Sequence, residues 1–169
     1  MVVLPLLPSL IVAAFGMGAA PVSSSAIEEV TSCEPTPAQD LVPEVVGPIA
    51  GTRPAWMVDG EDRWNHGAHP VKTLWVFSRT SQEIWIVGHR LDAPGALRLQ
   101  RQPDAVTNVL VITDPGRTSV IPGGASSAVM RAYSFIPTYV FYPGPGCWEF
   151  TIRIGEEEVR IVREMKGRR

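Results

Sequence analysis

Imidazoles, thiols and clustered carboxylates are the side chains that most often bind metals or move protons. This 169-residue chain carries them in a few places only. His66-Gly67-Ala68-His69 sets two imidazoles at H-x-x-H spacing in a loop, with Glu61 and Asp62 just upstream and His89 further on. A zinc site needs three or four protein ligands, so His66 and His69 alone fall short of one. A blue-copper site places a Cys close to His and Met ligands, but Cys147 is followed by Trp148-Glu149-Phe150. Glu156-Glu157-Glu158 resembles an acid/base or calcium cluster, yet hard-cation sites draw ligands from spaced loop positions. Contiguous acids at a turn solvate it. No Gly-x-Ser-x-Gly elbow occurs, and the spacing of Ser126, Ser127 and Asp92 ties none of them to a histidine. Gly123-Gly124 is followed by no helix that would make it a phosphate loop. The expectation is a protein without a catalytic set and without a cofactor.

The elements that would have to position such residues are strands. Pro (16) and Gly (15) are both frequent and separate short apolar runs, which punctuates a chain of strands and turns. Val71–Ser78 and Gln82–His89 are rich in β-branched and aromatic residues. Only Arg79-Thr80-Ser81 separates them, a spacing that predicts a hairpin of two central strands apolar on both faces. Trp75 and Trp85 are then expected in the core; a carbohydrate platform is the alternative use of such indoles. Ala96–Gln100, Val106–Thr113, Val129–Phe135 and Tyr139–Tyr142 follow as short strands. Cys147–Ile154 alternates strictly. Trp148, Phe150, Ile152 and Ile154 share a buried face, and Cys147, Glu149, Thr151 and Arg153 share the opposite one. After Gly155-Glu156, the run Glu158–Arg163 returns as the last strand, with Val159 and Ile161 facing inward. Seven to eight strands with turns every 8–12 residues fit an antiparallel β-sandwich of the immunoglobulin-like kind. Its core anchors would be Trp148, Phe150, Trp75 and Trp85.

Upstream, residues 1–26 carry no charged side chain and end in small residues, as an export signal does. The alternative is an uncleaved anchor, although Pro5, Pro8 and Pro21 interrupt the ~20 apolar residues that a spanning helix needs. Residues 27–65 form a Pro-rich extended arm, pinned at Trp56 and Trp64; residues 66–163 form the sandwich, and residues 164–169 a basic tail. Lipidation at Cys33 is disfavoured because Glu29-Val30-Thr31-Ser32 before it is polar. Two cysteines in an exported chain predict a Cys33–Cys147 disulfide. It would staple the arm to the outside of the final hairpin, contributing roughly 4 kcal/mol by loop entropy. Hydrophobic residues make up 45% and charged residues 19%, enough for a packed core, and the net charge of −2 leaves no electrostatic footprint for nucleic acid.

Three strings carry a resemblance. Phe141-Tyr142-Pro143-Gly144-Pro145-Gly146-Cys147-Trp148-Glu149-Phe150-Thr151 is similar to the end of a group of uncharacterised bacterial exported proteins that read roughly F-P-x-x-G-C-W-E-V-T. Trp75-Val76-Phe77-Ser78 followed by Ile84–Asp92 resembles the same group's tryptophan strand and G-x-R-L-D turn, and Cys33-Glu34-Pro35-Thr36-Pro37 its Cys-Pro-Thr-Pro start. The likeness spans most of residues 33–163; Gly124–Arg131 and the leader depart from it. It implies an immunoglobulin-like fold and export, and no activity. The expected role is therefore an extracytoplasmic binding or structural module whose partner is a protein or an envelope component. Membrane association would require that the leader stay attached, as in a tethered sensor. The alternative is a metal-handling or enzymatic envelope protein using His66 and His69.

Overall fold

The computed structural model describes residues 33–40, 46–58 and 70–167. The His66/His69 loop, Glu61, Asp62, Trp64 and the leader lie outside them. Among the described residues, ten strands form two antiparallel sheets: β1 (Ala38–Gln39), β2 (Ile49–Thr52), β3 (Ala55–Val58), β4 (Val71–Ser78), β5 (Ile84–Arg90), β6 (Arg98–Gln100), β7 (Val109–Ile112), β8 (Tyr133–Phe141), β9 (Gly146–Ile154) and β10 (Glu157–Met165). One sheet runs β1-β2-β3-β4-β8-β6 and the other β10-β9-β5-β7. The pairing of β4 with β8 in one layer and of β5 with β9 in the other is the B–E and C–F arrangement of an immunoglobulin-like sandwich.

Period-two patterning builds the core between the layers. Trp148, Phe150, Ile152 and Ile154 of β9 are buried, as are Val159 and Ile161 of β10, where the alternation places them. They meet Trp75 and Phe77 of β4, and the Trp75 and Phe150 rings pack edge-on at 5.3 Å. Trp75 Nε1 donates to Thr138 Oγ1 across β4 and β8 at 2.9 Å, so this indole is buried with its polar atom satisfied.

The expected hairpin of Val71–Ser78 with Gln82–His89 does not form. β4 lies between β3 and β8, whereas β5 lies between β7 and β9. The short connection between them is therefore an arch from one layer to the other. Each strand gains two ladder neighbours this way, where a hairpin would pair them with each other. The arm also contributes more than a strap: Ile49–Thr52 and Ala55–Val58, expected in the extended segment, pair around Arg53-cis-Pro54 and join the six-stranded sheet, with Trp56 buried. Downstream, Ser127–Ala132 is a helix, α1, which overlaps the first residues of the expected strand Val129–Phe135 and follows Gly123-Gly124, where no helix was expected. Ser126 caps it, its Oγ accepting from the Val129 amide at 3.3 Å, and Ala, Met and Arg favour the helical turn that follows. The strand then begins at Tyr133. At the other end, β10 runs through Met165, which is buried, so the basic tail starts with ladder residues.

The cysteines are bridged, with Cys33 and Cys147 Cα atoms 5.5 Å apart at a sequence separation of 114. Cys147 points away from Trp148, towards the outside of the sheet, and the arm that it holds covers it to 3% exposure. From there the arm runs along the edge of the sandwich. Thr36 exchanges hydrogen bonds with Val162 on the free side of β10, its amide donating to the Val162 carbonyl at 2.9 Å and its Oγ1 accepting from the Val162 amide at 2.8 Å. Ala38–Gln39 then pairs with β2 in the other sheet. One segment thus shields the edges of both layers, which would otherwise be open templates for strand pairing.

Candidate ligand-binding face

Trp85 is not a core anchor. Ile84, Ile86 and Gly88 of β5 point inward, so Trp85, Val87 and His89 point out of the four-stranded sheet, and Trp85 is 46% exposed. Register assembles the surface around it. One row crosses the sheet as Val111, Trp85, Arg153 and Glu158; the next crosses as Val109, Val87, Thr151 and Arg160. Both rows change from apolar at β7 to charged at β10. Within this surface Trp85, Val87, Thr151 and Arg153, with Gln82, Glu83 and Gly155 at one end, line a groove of about 680 Å³, within the 300–1,000 Å³ typical of small-ligand sites.

The charges of this face are internally paired. Glu158 accepts from Arg153 Nε at 2.9 Å and from Arg160 Nε and Nη2 at 3.1 and 3.0 Å. The two guanidiniums hold its carboxyl below the usual carboxylate range. Nearer the disulfide, His89 Nε2 lies 3.8 Å from Glu149 Oε1, so the third histidine faces a single carboxylate. Among the described residues, no group of three or more His, Cys, Asp or Glu side chains could hold a metal ion.

At the far end of β5, the two motif strings meet. Arg90 lies opposite Trp148 in the β5–β9 register, with its guanidinium carbon 5.7 Å from the indole centroid. Arg90 Nε donates to Asp92 Oδ1 at 2.6 Å, and that bond holds the Asp92 carboxyl below its ordinary value. The Leu91 amide donates to the Cys147 carbonyl at 2.8 Å. Gly146 has φ +145°, and a Cβ there would lie 2.6 Å from Arg90 Nε. A glycine is therefore required before Cys147, because the arginine fills the space of its side chain. Gly95 touches the Trp148 ring on the other side, and Tyr142 packs edge-on against it at 5.8 Å. The G-x-R-L-D and G-C-W-E strings together form one brace around a buried tryptophan. This is a folding role, with Trp148 fully buried.

The expected anchors Trp148, Phe150 and Trp75 are all in the core, and the structure adds Val87, Val109, Val111, Gln82, Glu83, Thr151 and Arg153 around the displaced Trp85. A signal for them was present. Glu83 and His89 share the parity of Trp85 in Gln82–His89, and a face that carries both is not a buried one.

The fold is an immunoglobulin-like β-sandwich whose four-stranded sheet has an outer face that the described residues leave uncovered around Trp85. Neither a family model nor a curated protein matches the sequence. Among solved structures, the chain is similar to the crystal structure of a candidate lipoprotein from Bacillus anthracis, at 15% identity and a TM-score of 0.51, over 88% of this chain and 97% of that one. At that identity, the likeness concerns the fold.

Proposed function

We propose that this chain is an exported, envelope-associated binding module without catalytic activity, and that the outer face of the four-stranded sheet is its binding surface. The observation that carries the reading is Trp85: a large amphipathic ring, 46% exposed, on the outward side of a central strand whose inward residues are buried, at the border of an apolar and a charged half-face. Exposed aromatics with convergent polar neighbours are what binding sites are made of. Export is supported by the uncharged leader and by the disulfide, which needs an oxidising compartment to persist. The Bacillus anthracis protein of similar fold is described as a lipoprotein, which agrees with an envelope location. Lipid attachment at Cys33 forms no part of the proposal, because the disulfide occupies the sulfurs of both cysteines in the chain.

Co-sedimentation of the purified, oxidised protein with washed bacterial envelopes tests the reading. Wild type should pellet with the envelopes, and Trp85→Thr should be retained at least tenfold less. Equal retention of the two proteins, or none of either, overturns it.

A further inference from the structure

Resting on that reading, the geometry points to a neutral saccharide chain as the ligand of the Trp85 groove. Three features select it. The first is the two-sided character of the row Val111–Trp85–Arg153–Glu158, which offers an apolar platform flanked on one side by charged hydrogen-bonding groups. A pyranose ring has the matching form, with a C–H face that packs on an indole and a rim of hydroxyls that both donate and accept. Along the groove, Gln82 supplies an amide, Glu83 a carboxylate, Thr151 a hydroxyl and Arg153 a guanidinium, so both donors and acceptors are available to that rim.

The second feature is charge. Of the groove's lining residues Arg153 and Glu83 are charged, one of each sign, and Arg153 is already paired, sharing Glu158 with Arg160. That leaves no positive surplus for an anionic phosphate or an acidic peptide. The third is extent. Only Trp85 and Val109 of this face are largely exposed apolar side chains, while Val87 and Val111 are half-buried. A stable protein interface covers about 800 Å² per partner around an apolar centre, and a single indole bordered by ion pairs is too small an anchor for that. The groove runs along the neighbouring strands β5 and β9 and remains open to solvent, which suits a segment of a chain better than a capped monosaccharide.

The test uses the full oxidised protein with cellohexaose and chitohexaose as soluble probes, followed by indole fluorescence and calorimetry. The expected result is saturable binding to at least one probe, weakened tenfold or more in Trp85→Thr and by a smaller factor in Trp85→Phe, which keeps a ring. In parallel, envelopes are digested either with protease or with glycan hydrolases before co-sedimentation. Loss of retention only after glycan digestion supports the assignment. Trp85-dependent retention that survives glycan digestion and disappears after protease, with neither oligosaccharide bound, overturns the saccharide while leaving the binding face standing. Absence of any Trp85-dependent retention removes both.

Discussion

The two sheets of this sandwich share a core and differ on their outer faces. Outside the six-stranded sheet, Ile49, Trp56, Val76 and Phe135 form a second buried cluster, with Val129 and Met130 of α1, Tyr133 and Leu74 packed against it. The Trp56 and Tyr133 rings meet edge-on at 6.1 Å. Outside the four-stranded sheet, the described residues provide no such cover, and Trp85 faces solvent from the same kind of central strand position that Val76 occupies in β4. Two tryptophans on outward-pointing positions, Trp56 and Trp85, have thus been given opposite environments. Among the described residues, a helix and the second half of the arm cover one face, and nothing comparable covers the other. Covering is what a fold does for stability, and the exposed tryptophan is the observation on which the binding proposal rests.

Breaking the covered face should have the largest effect. Phe135 is fully buried within the outer cluster, and Phe135→Ala should destabilise by about 3–5 kcal/mol, the cost of deleting a buried ring, as read by denaturant unfolding. A loss below about 1 kcal/mol would mean that the outer cluster is incidental and that the contrast between the faces is smaller than drawn.

The disulfide comes next. It lies on the open side of the molecule but ties down the arm that shields the edges of both sheets. Cys33→Ser together with Cys147→Ser should cost about 2–4 kcal/mol, the range observed for bridges that close long loops. Loss of the bridge should also uncover β10 beside Val162, so concentration-dependent self-association in light scattering is expected of the double variant and not of wild type. A variant that stays monomeric and keeps its melting temperature would show that the hydrogen bonds from Thr36 suffice without the bridge.

How much of this was legible in the sequence follows the same division. Strict alternation over Cys147–Ile154 revealed the core face of β9 and the outward cysteine, because each inward position is apolar and most outward ones are polar. The capped side was harder. Ile49–Val58 lacks the length and alternation of a strand and is interrupted by Pro54, and its pairing depends on β4, whose partner residues lie at a sequence separation of 18 (Met57 and Trp75) or more. Helix α1 is six residues long and is fixed by the Ser126 cap and its packing on β8 rather than by periodicity. Trp85 was misjudged for a related reason: Ile84-Trp85-Ile86-Val87 is apolar at every position, and composition alone cannot say which parity is buried. Local alternation can be read from a sequence, whereas the cover over a face is a tertiary fact.

A smaller effect is expected at the brace that ends the open sheet. The Asp92 carboxyl is held below its ordinary value by Arg90, so its contribution to stability is full above the unfolded pKa of about 3.9 and is lost as the pH falls through the lower folded-state value. Both partners are partly exposed, at 27% and 35% of their side chains, which limits the pair to under about 1 kcal/mol after screening. Asp92→Asn should lower the melting temperature slightly at neutral pH and erase that part of the acid-side decline. An unchanged decline below pH 4 in the variant would assign it to other carboxylates.

The smallest stability effect should come from Trp85 itself, and there the comparison is sharpest. Trp85→Thr keeps a β-branched residue on β5 and removes a ring that is already half in water, so the unfolding free energy should change by less than about 0.5 kcal/mol. Trp56→Ala on the covered side should lose about 3–5 kcal/mol by the same measurement. If Trp85→Thr were as costly as Trp56→Ala, the indole would belong to the fold after all, and its exposure would say nothing about a ligand. A stable Trp85→Thr variant that no longer binds its target would separate the two tryptophans into one kept for structure and one kept for recognition.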